Sequence, residues 1–105
     1  MLMKGTAMTW SEDQVQEVWN NGKTVEKFDP SKWRKDACDA WISRVEFGNS
    51  LSAFGWAIDH INPVETGGSD HISNLRPVQR KNRASQQGKL AFPVTAFGGQ
   101  NIDRS

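Results

Sequence analysis

The chain has 105 residues, of which 36% are hydrophobic, enough for one small domain with a modest core but not for two. A formal net charge of +1 excludes both a uniformly basic nucleic-acid coat and an acidic surface, so any charged binding face must be local. Cys38 is the only cysteine, which excludes an intrachain disulfide and a Cys-x-x-Cys zinc knuckle and fits a reducing cytoplasm.

In chain order, Thr9 to Gly22 reads as the first helix. Ser11 can cap it, Glu12 and Asp13 suit its positive end, and Val15, Val18 and Trp19 share a face expected to pack in the core. From Lys23 to Asp36 a proline turn and mixed charge follow, with Phe28 and Trp33 as apolar anchors. Ala40 to Asp59 reads as a β-hairpin: Trp41, Ile42, Val45 and Phe47, a turn at Gly48-Asn49, then Phe54, Trp56 and Ile58. Alternation places those last three on one face and Asp59 on the other at the strand's end. Pro77 suits the first turn of a second helix and Gly88 its end, which brackets Asn82. Beyond it, Leu90, Phe92 and Val94 alternate as a short edge strand or docked tail, and Gln100 to Ser105 are expected to fray.

The stretch Trp56 to Lys89 carries the most chemical information. Asp59-His60 ends an apolar run, Gly67-Gly68 and Asp70 punctuate a loop, Asn74-Leu75 restarts order, and Asn82 sits in a basic segment. In these residues the chain resembles the HNH endonucleases, whose ββα-metal motif reads Asp-His, Gly-Gly-x-Asp, Asn-Leu, then a helix bearing a second Asn or His. The resemblance covers about a third of the chain. Ser85 and Gln86 occupy the region where many members carry a lysine, and the next lysine is Lys89.

The resemblance implies an α+β fold: one domain over residues 1–105 with a ββα-metal (His-Me finger) core at 56–89, preceded by a helix and a hairpin and followed by a tail at 90–105. It implies a metal-dependent endonuclease that hydrolyses DNA phosphodiesters and leaves a 5′-phosphate and a 3′-hydroxyl. His60 would be the general base, since imidazole takes up a proton near physiological pH. Asn74 would hold the loop, and with it the histidine, through side-chain to backbone hydrogen bonds. Asp59 and Asn82 would be metal ligands, and two hard oxygen donors suit Mg²⁺ or Mn²⁺ better than tetrahedral Zn²⁺. Asp70 is placed to cap or brace the loop or to serve as a further ligand, and His71 reads as a loop residue. Gly67-Gly68 would permit positive φ.

Charge is segregated. From His71 to Pro93 there are Arg76, Arg80, Lys81, Arg83 and Lys89 and no acidic residue, which makes this stretch the expected phosphate-binding face, with Arg34, Lys35 and Arg44 as further candidates. Duplex DNA is the expected partner, with low sequence specificity because nothing reads as a recognition helix. One site cuts one strand, so a double-strand break needs two nicks or a dimer, for which the sequence offers no support. No run approaches the roughly 20 apolar residues that span a bilayer, so a soluble cytoplasmic protein without a membrane partner is expected. The alternative function is an HNH-like accessory module of a larger phage or defence complex that binds nucleic acid without cleaving it.

Overall fold

The structure, a computed structural model, describes residues 10–85 and 94–103. The described residues form a small α+β fold of two α-helices and three two-stranded antiparallel sheets: α1 (Glu12–Trp19), β1 (Trp33–Lys35), β2 (Trp41–Ser43), β3 (Trp56–His60), β4 (Leu75–Gln79), α2 (Arg80–Ser85), β5 (Val94–Phe97) and β6 (Gln100–Asp103). The strands pair β1 with β2, β3 with β4 and β5 with β6. Among the described residues no helix is long and apolar enough to cross a membrane.

Helix α1 begins as expected. Ser11 and Gln14 form a reciprocal capping box, the Ser11 hydroxyl accepting from Gln14 N and the Gln14 side chain accepting from Ser11 N, which satisfies two otherwise orphaned donors. The helix stops at Trp19, short of Gly22, because its end is closed from outside. The Arg34 guanidinium donates to the carbonyls of Asn20 and Gly22, and its Nε donates to Pro30 O. Arg34 is therefore a helix-terminating side chain and not a free phosphate contact.

Val15, Val18 and Trp19 of α1 meet Ile42, Trp56, Ile58 and Leu75 in the main core, with Trp10, Phe47 and Ile72 at its margin. The Trp19 and Trp56 rings lie 5.3 Å apart at 45°, a tilted packing favoured by the ring quadrupoles, and the Trp19 indole N–H donates to Pro30 O at 2.9 Å. Phe28 is 45% exposed and Trp33 half-buried, and both rings touch Trp41.

The expected hairpin over Ala40 to Asp59 does not form. Its first arm pairs backward, Trp41 to Ser43 against Trp33 to Lys35, and its second arm pairs forward, Trp56 to His60 against Leu75 to Gln79. The forward pairing extends over five residue pairs and buries Leu75, Pro77 and Val78. The segment between the arms turns over Arg44 to Glu46 and leaves Val45 85% exposed. Gly55 sits in this segment because a Cβ there would lie 2.0 Å from the Asn49 carbonyl oxygen.

Two further expectations are corrected. Pro77 lies within β4 rather than in a helix's first turn, and α2 starts three residues later at Arg80; in a two-stranded sheet both strands are edges, where proline is tolerated. Gln100 to Asp103 form β6 instead of fraying. That hairpin is docked by Asn101, whose side chain accepts from Trp41 N and donates to the carbonyls of Trp41 and Ala53, while the Trp41 indole donates to Gly98 O at 2.7 Å. Gly88, Leu90 and Phe92 lie outside the described residues.

The central polar contact is the buried carboxylate of Asp36, 1% exposed. One oxygen accepts from Cys38 N and Ala40 N, which closes the β1–β2 turn; the other accepts from Gln79 N at the β4–α2 junction and from Asn82 Nδ2. Asp36→Ala would strand three backbone donors and one amide. At about 1–3 kcal/mol per unsatisfied buried group, partly relieved by relaxation, we expect a loss of roughly 3–5 kcal/mol in urea unfolding. A loss below about 1 kcal/mol would show that the site rehydrates freely.

Candidate active site at the end of β3

Strand β3 runs Trp56-Ala57-Ile58-Asp59-His60, and its register against β4 assigns each side chain to a face. Trp56, Ile58 and His60 share one face with their partners Gln79, Pro77 and Leu75, while Ala57 and Asp59 share the other with Val78 and Arg76. Because pairing continues through His60, the Asp59 carboxylate and the His60 ring are directed to opposite faces of the strand pair. The backbone does not turn at His60, so the two side chains do not converge there.

His60 is well held. Its Nε2 lies 2.7 Å from Asp70 Oδ1, with the His60 side chain 15% and the Asp70 side chain 70% exposed. Its ring packs near Trp10, the centroids 6.2 Å apart. Asp70 is thus a partner of the histidine, a role outside the loop-bracing and metal-ligand roles expected of it.

Asn74 organises the loop between β3 and β4. Its Oδ1 accepts from Asn62 N at 2.8 Å, and its Nδ2 donates to Asn62 O at 3.1 Å and to Ser69 O at 2.7 Å. One carboxamide therefore ties both ends of the loop together, as an Asn competing for local backbone groups can do. Ser69 precedes Asp70, so the same contacts position the segment that carries the histidine's partner. The two glycines serve different needs. Gly67 takes a positive φ of 94°, whereas a Cβ on Gly68 would lie 1.7 Å from the Asn62 carbonyl oxygen. His71 caps a short turn, its Nδ1 accepting from Ser73 N.

Asp59 is paired with Arg76, whose Nε and one terminal nitrogen both lie 3.1 Å from Asp59 Oδ2. That leaves Oδ1 without a hydrogen-bond partner among the described residues, on a side chain 16% exposed. A divalent cation could take this oxygen. Asn82 does not fit as the second ligand. It is fully buried, its Oδ1 accepts from Val94 N at 2.9 Å, and its Nδ2 donates to Val94 O and Asp36 Oδ2. Both ends of the carboxamide are committed to joining α2, β5 and the Asp36 turn. Among the described residues no group of three or more His, Cys, Asp or Glu side chains is arranged to hold a metal ion.

The basic stretch is largely absorbed into the fold. Arg76 pairs with Asp59, Arg80 Nε donates to Ser52 O at 2.9 Å, and Lys81 pairs with Asp103 of β6. The Arg83 side chain and Lys89 lie outside the described residues. Of the other cations, Arg44 meets Gln16 and Glu12, and Lys35 Nζ lies 4.8 Å from the Trp41 ring centroid. Burial, aided by the Asp36 carboxylate, pushes the Cys38 thiol up to about 11, so little nucleophilic thiolate exists at neutral pH.

Asn82→Ala is expected to lower unfolding free energy by about 2–4 kcal/mol, because the Val94 backbone and Asp36 lose their partners together. A variant of unchanged stability that needed more metal for activity would instead restore Asn82 as a ligand. Native Cys38 should react with iodoacetamide at least ~10-fold slower at pH 7 than in urea. Equal rates would mean that burial does not protect it.

Comparison with protein-family models, with curated proteins and with solved structures finds no match to this chain, so its functional reading rests on the residues themselves.

Proposed function

We propose that this protein is a metal-dependent phosphodiester hydrolase of the HNH type that nicks DNA, with His60 as general base. The observation that carries the reading is the His60 ring at the end of β3, with one nitrogen held by Asp70 and the adjoining loop cross-braced by Asn74. The succession β3, loop, β4, α2 in the stretch that resembles the family supports it further.

In this reading His60 accepts a proton from a water molecule as the water oxygen attacks phosphorus. The bond from phosphorus to the 3′-oxygen breaks, and the departing oxygen is protonated by solvent, which leaves a 3′-hydroxyl and a 5′-phosphate. Asn74 keeps the loop, and hence the ring, from rotating out of line, a contribution of orientation rather than of chemistry. A divalent cation, Mg²⁺ or Mn²⁺, would be held by Asp59 and would supply charge neutralisation; because Asp59 and His60 face opposite sides of the strand pair, the two would act on one phosphate only if it lay across the end of β3. Arg76, beside Asp59, both fixes that carboxylate and adds positive charge.

The second reading, a module that binds nucleic acid without cutting it, is favoured by one specific observation: the burial of Asn82 with its carboxamide fully committed.

A supercoiled-plasmid assay separates the two. The enzyme reading expects nicked circles in Mg²⁺ or Mn²⁺, none in excess chelator, and a roughly 10²- to 10⁴-fold slower rate in His60→Ala with DNA affinity retained. Asp59→Ala should raise the metal concentration needed. No nicking in any divalent metal, with DNA still bound, would favour the non-cleaving module. Nicking by His60→Ala at the wild-type rate would remove His60 from the chemistry.

A further inference from the structure

We propose that Asp70 is a positioning residue that fixes the tautomer of His60, an inference that deepens the hydrolase reading and rests on it. The geometry points to this role through a short contact made by a specific ring nitrogen. An ionised carboxylate only accepts hydrogen bonds, so a 2.7 Å approach of Asp70 Oδ1 to His60 Nε2 requires the proton on Nε2. In the neutral ring Nδ1 is then the unprotonated nitrogen. Among the described residues Nδ1 has no hydrogen-bond partner, so it is the atom left to accept a proton from water.

Three features make the contact a built one. The ring is held on one side by Trp10 and is anchored in the β3–β4 ladder opposite Leu75. Asp70 follows Ser69, whose carbonyl is held by Asn74, so the carboxylate sits on a braced segment of the loop. Asn74 itself contacts only backbone in this loop, so its link to the imidazole is indirect and runs through Ser69 and Asp70. The fixed direction of the ring follows from strand and loop together, and the fixed proton from the carboxylate alone. Aspartate beside a catalytic imidazole acts in this way in other hydrolases, where loss of the charge leaves geometry intact but the wrong nitrogen protonated.

The test has a readout that does not depend on activity. In long-range proton–nitrogen NMR spectra of the full chain at about pH 9, where an ordinary imidazole is neutral, wild-type His60 should be a single tautomer with the proton on Nε2 and that proton slow to exchange. Asp70→Ala, at an exposed position, should keep the fold by circular dichroism yet give mixed tautomers and a fast-exchanging proton. In the plasmid assay Asp70→Asn should lower kcat by about 10- to 100-fold with KM nearly unchanged, less than a buried triad aspartate would cost because Asp70 is open to water. Asp70→Glu should recover part of that loss. A proton on Nδ1 in the wild type, or the same tautomer ratio and exchange rate in Asp70→Ala, would overturn the proposal, as would wild-type kcat in Asp70→Asn. Absence of nicking by the wild type alongside the expected NMR change would support the pairing and reject the hydrolase reading that it serves.

Discussion

The Asp36 carboxylate is the contact on which the other elements of this fold converge. It closes its own turn through Cys38 N and Ala40 N, receives Gln79 N where β4 becomes α2, and through Asn82 reaches the Val94 backbone of β5. Four donors on one buried carboxylate exchange water for protein at each lone pair, and a charged acceptor makes each bond stronger than a neutral one would be. With strands of only three to five residues, the sheets have little ladder energy of their own. The polar junction compensates by making the placement of one sheet depend on the placement of the next.

The loop between β3 and β4 uses a smaller version of the same device. Asn74 replaces a missing ladder by bonding to Asn62 and Ser69 across the loop, and Asn21 at the end of α1 donates to the carbonyls of Ile72 and Leu75. The outcome is an irregular segment of defined shape that delivers a carboxylate to the end of a strand. Such a scaffold suits proton transfer, which needs one ring nitrogen aimed and the other occupied.

Among the described residues, several of the positive charges hold the fold together. Arg34 terminates α1, Arg80 grips the Ser52 carbonyl, Lys81 pairs with Asp103, and Arg76 fixes Asp59. Arg34 and Arg76 are each engaged at two guanidinium nitrogens, so these contacts narrow the set of phosphate-binding groups. Exposed ion pairs such as that of Lys81 are worth little in water, and a phosphate could compete for the lysine.

Local features were legible in the sequence by itself. Ser11, Glu12 and Asp13 marked the start of α1, the spacing of Val15, Val18 and Trp19 marked its buried face, and the apolar run before Asp59-His60 marked β3, since each depends on neighbours within one or two turns of chain. The order of strand, loop, strand and helix followed, as did the bracing of the loop by Asn74. Partner choice was not legible. The arms at Trp41 and Trp56 have the composition of a hairpin, and nothing local says that each finds a different strand. The roles of Asp36 and Asn82 were hidden for the same reason: a polar residue in a mixed-charge segment reads as solvated or functional until the fold buries it and brings Val94 and Gln79 to its atoms. Whether a carboxylate or carboxamide faces a substrate, a helix end or another side chain depends on contacts across tens of residues, and only tertiary packing decides those.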